Sequence, residues 1–593
     1  MRKPTFAWFF SSWGGPLVLL LVAILAFGLM LPGLGFYWDD WAKILVSRLY
    51  GLSAYPAYYA EDRPLSAWTH MLFTPLLGES PLPWQVFTLL LRWLSALSFW
   101  WCLGLIWPWA RRQNLVAALL FLVYPVFTQQ PAAVTFHQQW LQYLLFFLSL
   151  GAMMLAVRAR QARQRWLWTA LSLGASLLQL TVTEYFAPIE LVRPLVLWFI
   201  LPGEAALSSN PRGWISKSGR VLRAWLPYLI LLGAYTVFRL FLLRLPGNDP
   251  YSADTLYDFI ADPLKTAWQM LLVMLVDEQR ILVGVWADLL HIGIVGATRA
   301  ALLSYGVAVI TGGLLFVYLL RTADSQTPGA PDEECQPQWS RQAFLLGLAG
   351  VLLGPVPAWI TGRQVVFDFH SDRYALPAMF GAALLLAAGI EWLSQRKVQR
   401  TVLAVGLVTL AIGLQLRAAN DYRWIWTAEQ RFFWQLAWRA PGLKAPTAIF
   451  LETELFPNQG LFSTSAALNQ MYPQGLEPFS TDRVNRLSYW IYTLRPRYRE
   501  KPDDYTIKLN TTFRTLHFEG QTPDSLLVYS NPARSNCLWV LSARDANNPY
   551  LPQLVRDFLP ISNLERILPE STPGFPPVDM IGPEPPRAWC YYF

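Results

Sequence analysis

The chain alternates between long apolar runs and short polar connections over its first 416 residues. About eleven runs are long enough to be membrane-spanning helices, near 16–35, 84–107, 114–130, 134–157, 166–183, 186–202, 224–244, 300–320, 342–360, 374–393 and 398–416. A bilayer core takes about 20 apolar helical residues, so the pattern predicts a mostly α, polytopic membrane protein. Residues 268–298 are apolar but broken by Asp277, Glu278, Arg280, Asp288 and His291, which predicts amphipathic helices lying on the outer interface. The first run follows Arg2 and Lys3 without a small-residue cleavage site, which predicts a retained signal-anchor. Beyond 417 the apolar runs shorten and Pro and Asn rise. Three β-like pieces appear there: Ala448–Leu451, Ser525–Tyr529 and Cys537–Leu541. The expected organisation is a transmembrane module over 1–416 and a C-terminal α/β domain over 417–593.

Basic residues set the expected orientation. With the N-terminus inside, six consecutive cytoplasmic segments hold Arg2 and Lys3; Arg111 and Arg112; Arg158, Arg160, Arg163 and Arg165; Arg212, Lys217, Arg220 and Arg223; Arg321 and Arg341; and Arg396, Lys397 and Arg400. This follows the positive-inside rule, and eleven spans put the C-terminal domain outside. Nothing reads as organelle targeting, so the plasma membrane is the expected location. Residues 321–341 read as a flexible cytoplasmic linker, and no repeat of 20–50 residues is evident.

Composition supports the membrane reading. Hydrophobic residues make up 54% and charged residues only 15%, against about 25% in soluble domains. The 29 Trp and 25 Tyr suit many membrane–water boundaries. The net charge of +8 is spread between spans rather than gathered on one face, which argues against a nucleic-acid partner. The four cysteines form no metal-binding spacing. Cys102 and Cys335 read as inert, whereas Cys537 and Cys590 could pair in an oxidising compartment. The sequon Asn510-Thr511-Thr512 matters only in a host that glycosylates external loops.

Charged residues beside membrane segments usually mark a cavity or a reaction site, and on this topology they gather on the outer face. Asp39 and Asp40 follow the first span. Adjacent residues do not share a helix face, so one can enter a cavity as a general base while the other pairs locally, with Lys43 in reach. A solvated helix N-terminus explains the same pair. In Asp62-Arg63-Pro64, proline fixes extended geometry at Arg63; the guanidinium fork suits a phosphate, and a surface Asp–Arg pair is the alternative. Glu184 lies at a tight turn and either caps it or orients substrate. Arg363 and Arg373 read as phosphate anchors or as snorkelling boundary arginines. Between them, an extended chain would put Asp368, His370 and Asp372 on one face, a weak divalent-metal possibility. His137, Gln138, Gln139 and Gln142 are polar at the outer end of a span and predict a cavity lining. No Gly-rich phosphate loop, GxSxG or HExxH motif is present.

In order and topology these pieces resemble the C-type (GT-C) polytopic membrane glycosyltransferases. The closest motifs are those of protein O-mannosyltransferase-like and aminoarabinose-transferase-like members. Asp39-Asp40 stands where those families carry DD, DE or ED in the first extracytoplasmic loop. Arg63-Pro64-Leu65 with Thr69 looks like their RPL…T segment, and Thr183-Glu184 like their Lys-Glu turn with Thr in place of Lys. Asp372-Arg373-Tyr374-Ala375-Leu376-Pro377 looks like their Glu-Arg-x-Leu-Tyr-Leu-Pro segment. The resemblance covers roughly 16–416, without tetratricopeptide repeats and without a match for the C-terminal domain. It implies an inverting glycosyltransferase with a polyprenyl-phosphate sugar donor. Asp39 would be the base, with Asp40 second. Arg63, Arg363 and Arg373 would meet the donor phosphate, and Asp62, Glu184, His137, Gln138, His370 and Tyr374 would line or orient. The acceptor would be a hydroxyl on a glycan, protein or lipid. The leaving group carries its own charge, so no cofactor is required. Two alternatives are a lipid or polysaccharide transporter, which would place its charges near the bilayer midplane, and a non-enzymatic membrane scaffold.

Overall fold

The computed structural model describes residues 14–201, 211–243, 254–287, 299–322, 332–368, 370–457, 459–472, 485–495, 507–531, 537–568 and 581. The protein is mostly helical, with a strand-containing C-terminal region. Among the described residues, eight helices are long and apolar enough to cross a membrane: Gly14–Gly33, Pro81–Ile106, Ala133–Arg158, Trp214–Leu242, Arg299–Arg321, Gln338–Ile360, Asp372–Leu393 and Lys397–Arg439. The chain is a multi-pass membrane protein. Eight of the eleven sequence runs lie in these helices, and the other three lie in shorter or more polar helices among the described residues. Run 114–130 yields the helix Arg111–Val123, only 13 residues, or about 20 Å at 1.5 Å per residue. Run 166–183 lies in Ala162–Leu180, whose first turn carries Arg163 and Arg165. Run 186–202 breaks into a 3₁₀ segment, Pro188–Val192, and the eight-residue helix Arg193–Ile200. That break places Glu190 and Arg193 inside the protein. Arg193 donates through Nε and Nη2 to the two Glu190 oxygens at 2.6 and 2.9 Å, and Ser176 and Ser149 complete the network.

Contacts divide the chain into two compact units: Met1–Leu31 with Val86–Gln130 and Phe136–Asn420, and Pro32–Gln85 with Pro131–Thr135 and Asp421–Phe593. Position 416 lies within the continuous 43-residue helix Lys397–Arg439, and the second unit includes the first polar loop as well as the C-terminal residues.

In the first unit, apolar side chains are exposed on the helices as well as packed in the core, and some polar side chains are buried. Ile230, Phe241, Leu303 and Ile310 are exposed on spans, while Asn114, Gln142, Ser149 and Ser176 are buried. This is the arrangement expected where lipid rather than water is the surrounding solvent. Gln338–Ile360 and Asp372–Leu393 cross closely because Gly347 and Gly381 meet there; a Cβ on Gly347 would lie 2.8 Å from the Gly381 carbonyl oxygen. The helix Pro263–Gln279 falls in the stretch expected to lie on the interface. It exposes Trp268, Leu271 and Leu275 and buries Asp277, which accepts from Trp359 Nε1 at 2.9 Å and the Val365 amide at 3.1 Å. Its polar side thus holds the loop leading to Arg363. Asp288 and His291 lie outside the described residues.

The second unit contains two sheets. The larger has the order β3-β1-β6-β7, from β1 (Thr447–Leu451), β3 (Tyr489–Thr493), β6 (Ser525–Asn531) and β7 (Cys537–Leu541). The smaller is β2-β5-β4, from β2 (Asn485–Leu487), β4 (Lys508–Phe513) and β5 (Leu516–Gln521). β1 runs parallel to both of its neighbours, and β6 pairs antiparallel with β7. All five β1 residues are buried, as a central parallel strand requires. The three β-like pieces read from sequence are β1, β6 and β7. Cys537 is disulfide-bonded, and Cys590 lies outside the described residues. Of the segment 321–341 read as a linker, 323–331 lies outside the described residues, while 332–341 opens the helix Asp332–Leu353 and is not a loop.

Candidate active site

The first polar loop is held by the C-terminal part of its own unit. Gly35 lies against Trp426 so closely that a Cβ there would fall 1.9 Å from the indole, so no larger residue fits. Tyr37 donates to the Tyr422 carbonyl at 2.9 Å. At Trp38 the chain takes φ 50°, ψ −125°, a strained conformation for a bulky residue. Its amide donates to Gln459 Oε1 at 2.6 Å. Gln459 is itself fixed on the Phe36 carbonyl and Glu429.

Helix Asp39–Leu45 starts immediately after that turn, with two acids in its first turn where the dipole favours them. The two carboxylates have different environments. Asp40 is fully buried and accepts from the Thr135 amide at 2.8 Å, the Thr135 hydroxyl at 2.7 Å and the Tyr37 amide at 3.3 Å. Burial pushes its carboxyl up to about 7, against the opposing effects of Thr135 and Lys43. Asp39 keeps 15% of its side chain accessible and lies 3.7 Å from Lys43 Nζ. Lys43 also donates to Thr135 Oγ1 at 2.9 Å, and burial lowers its pKa. Asp40 is therefore an anchor between two segments, and Asp39 is the carboxylate presented at the surface of the site.

The Asp62–Arg63 pair expected from sequence exists only as a 3.6 Å contact. The main partner of Asp62 is Arg514, which donates Nη1 to Oδ1 and Nη2 to Oδ2, both at 2.7 Å. Burial raises the Asp62 carboxyl, but the charges of Arg514 and Arg63 outweigh it and hold the group below its ordinary value. Arg514 also lies over the Tyr58 ring, 4.8 Å from its centroid. It occupies the first position of the two-residue turn joining β4 to β5 at φ 55°, a place glycine usually fills. The buried hydroxyls of Tyr58 and Tyr59 meet no hydrogen-bond partner among the described residues. Tyr58 is electrostatically coupled to Arg514, Asp39 and Asp62, and an incoming polar ligand would satisfy such a group. Arg514, Gln459 and Glu429 were not singled out from sequence, because their partners lie hundreds of residues away and no local pattern marks them.

The other predicted residues lie in the first unit. Arg363 Nη1 and Arg373 Nη2 both donate to the Tyr374 hydroxyl, at 2.5 and 3.3 Å, so these three do converge. Asp372 does not point outward with its neighbours. Its carboxylate is buried and accepts from the Thr128 amide and hydroxyl, at 3.0 and 3.1 Å, and from Gln129. The extended segment that would align Asp368, His370 and Asp372 is absent: Asp368 Oδ1 closes a turn on the His370 and Ser371 amides, and Asp372 opens a 3₁₀ segment. Asp368 and His370 are exposed. No group of three or more His, Cys, Asp or Glu among the described residues could hold a metal ion. Glu184 is half-buried at the start of a 3₁₀ turn. His137 and Gln138 are buried, with the His137 ring 6.1 Å from Phe87. One turn further along, Gln142 ties that helix to the Gln179 and Thr183 carbonyls at 2.9 and 2.8 Å.

Fold and site together define a multi-pass membrane protein that holds a strained, carboxylate-bearing loop against its own strand-containing region. No protein-family model and no curated protein matches this chain. Two solved structures are similar to it, both crystal structures of ArnT from Cupriavidus metallidurans. The one bound to undecaprenyl phosphate is 15% identical, covers 75% of this chain and 84% of its own, and has a TM-score of 0.33. The apo form is 13% identical over 75% of this chain and 83% of its own, also with a TM-score of 0.33.

Proposed function

We propose that the protein is a membrane glycosyltransferase that moves a sugar from a polyprenyl-phosphate donor to an acceptor hydroxyl with inversion. The observation that carries this reading is the division of labour at Asp39-Asp40. One carboxylate is consumed by backbone and hydroxyl donors, and its neighbour is left presented beside a cation. A general base needs an accessible carboxylate held rigidly, and the strained turn at Trp38 supplies the rigidity.

In the proposed reaction the acceptor oxygen attacks the anomeric carbon, its proton passes to Asp39, and the bond to the phosphate oxygen breaks. The phosphate leaves as an anion and needs cations rather than an acid. Arg63 fills that role within the Asp39 unit, and Arg363 with Arg373 on Tyr374 is the second cationic group assigned to the donor phosphate. The donor class comes from the motif resemblance. The site faces outward at the plasma membrane.

The test is transfer by the purified full-length protein in lipid nanodiscs, using polyprenyl-phosphate-linked sugars and following release of polyprenyl phosphate. Asp39→Asn should lower turnover at least about 10²-fold with unchanged thermal unfolding. Turnover within a few-fold of wild type would rule out Asp39 as the base.

A further inference from the structure

The second unit contains a cavity of about 650 Å³ whose residues have been given no role so far. Its volume lies within the range of small-molecule sites, about 300–1,000 Å³. The floor is aromatic: Trp490 is buried, and Phe462 stacks on Phe513 with ring centroids 4.0 Å apart and planes 12° apart. Asn510 and Thr512, alternate residues of β4, are exposed at the rim and supply amide and hydroxyl groups. The lining also carries two exposed cations, Arg495 and Lys508, and one exposed carboxylate, Glu454. Flat rings that can lie under the C–H face of a sugar, bordered by side chains that bond hydroxyls, are the chemistry of saccharide recognition. The excess of cations selects for acidic groups.

The walls of this cavity continue directly into the ties that hold the Asp39 loop. Phe462 lies three residues after Gln459, which accepts the hydrogen bond of the Trp38 amide. Phe513 immediately precedes Arg514, which grips Asp62. We infer that this cavity binds a saccharide carrying carboxylate or phosphate substituents and that it is the acceptor cleft. The word acceptor rests on the glycosyltransferase reading; the binding does not.

The experiment titrates full-length protein in detergent with trigalacturonic acid, following tryptophan fluorescence and calorimetry. Maltotriose serves as the neutral probe and inorganic phosphate as the bare anion. Trigalacturonate should bind with a midpoint below about 10 mM, more tightly than maltotriose, and more weakly as salt is raised. The double variant Arg495→Gln/Lys508→Gln changes only exposed side chains and should weaken trigalacturonate about tenfold, with maltotriose unaffected. Equal binding of the acidic and neutral trisaccharides would overturn the assignment, as would phosphate matching trigalacturonate or binding that survives the double variant. If binding behaves as expected but Asp39→Asn leaves transfer intact, the glycosyltransferase reading fails and the cavity stands. If Asp39→Asn abolishes transfer but the double variant binds trigalacturonate like wild type, the cavity assignment fails and the reading stands.

Discussion

The Asp62–Arg514 pair allows the firmest energetic prediction. Both bonds are 2.7 Å, and the two side chains keep only 5% and 16% of their surface accessible. Removing one partner of a buried ion pair costs roughly 3–5 kcal/mol, and the residual exposure of Arg514 places this pair near the lower end, at about 3 kcal/mol. Arg514→Gln should be the costlier single change. It leaves the more deeply buried Asp62 carboxylate with only the 3.6 Å contact to Arg63. Glutamine at φ 55° is as strained as arginine, so relief of backbone strain does not confuse the comparison. The assay is denaturant unfolding in mixed micelles, followed by tryptophan fluorescence, for Asp62→Asn, Arg514→Gln and the double variant. The double should be little worse than either single, with a coupling of about 2–3 kcal/mol at unchanged m-value. pH supplies a second arm. The Asp62 carboxyl is held below its ordinary value, so its contribution is complete above the unfolded value of about 3.9 and is lost as pH falls below that toward the folded value. The stability gap between wild type and Asp62→Asn should therefore close on acidification. Additive single effects, or a gap unchanged below pH ~4, would refute the reasoning.

The other predictions concern neighbouring groups. Asp40→Asn should lower stability by about 1–3 kcal/mol, because its amide nitrogen would face either the Thr135 donors or the Tyr37 amide. It should cost much less turnover than Asp39→Asn, and the reverse order in paired transfer and unfolding measurements would exchange their roles. The folded Asp40 carboxyl is raised to about 7, so the native state holds an extra proton between the unfolded value of about 3.9 and that point; its contribution to stability falls as pH rises through this window. Asp40→Asn should flatten that slope in unfolding at pH 5, 6 and 7. Tyr374→Phe removes the hydroxyl that Arg363 and Arg373 share and should raise the donor KM more than it lowers kcat. A change in kcat alone would remove the two arginines from donor binding. A single cysteine at exposed Arg544 should react with a membrane-impermeant maleimide in intact cells if the C-terminal domain faces outward, and labelling only after lysis would reverse the orientation.

The fold was legible where the sequence pattern leaves one outcome. The short apolar piece Ala448–Leu451 reads as a strand and lies in β1, and long apolar helices such as Ala133–Arg158 announce themselves by length. Legibility failed where two outcomes share a pattern. Run 186–202 reads as one apolar span, but its helical structure changes between Val192 and Arg193, where Glu190 and Arg193 pair with each other and with two serines inside the first unit. The hairpin β4–β5 has Arg514-Thr515 at its turn, where glycine or asparagine would have signalled it. The metal possibility failed for a related reason. Period-two alignment of Asp368, His370 and Asp372 needs an extended chain, and each aspartate is used to turn the backbone or to bind Thr128. For the site itself, the residue pattern named the acidic pair without ranking it, and only the family resemblance put Asp39 before Asp40. The ranking depends on Thr135, 95 positions away.

The two strained residues explain how that ranking is held. Among the described residues, only Trp38 and Arg514 have positive φ without being glycine. Such conformations cost about 1–3 kcal/mol each and persist where surrounding contacts leave no alternative. Those contacts are identifiable: Gln459 fixes the Trp38 amide, and Asp62 fixes Arg514. Successive helical residues point about 100° apart. A slip of the turn by one residue that carried Asp39 into the Thr135 donors would carry Asp40 into the buried place of Trp41. Holding Trp38 in its strained conformation fixes the rotational phase of the helix that follows. A relaxed turn would let Asp39 take the anchor's place, and the carboxylate proposed as the base would be presented only part of the time. Strain at the residue before the acidic pair thus gives the two aspartates fixed and different tasks.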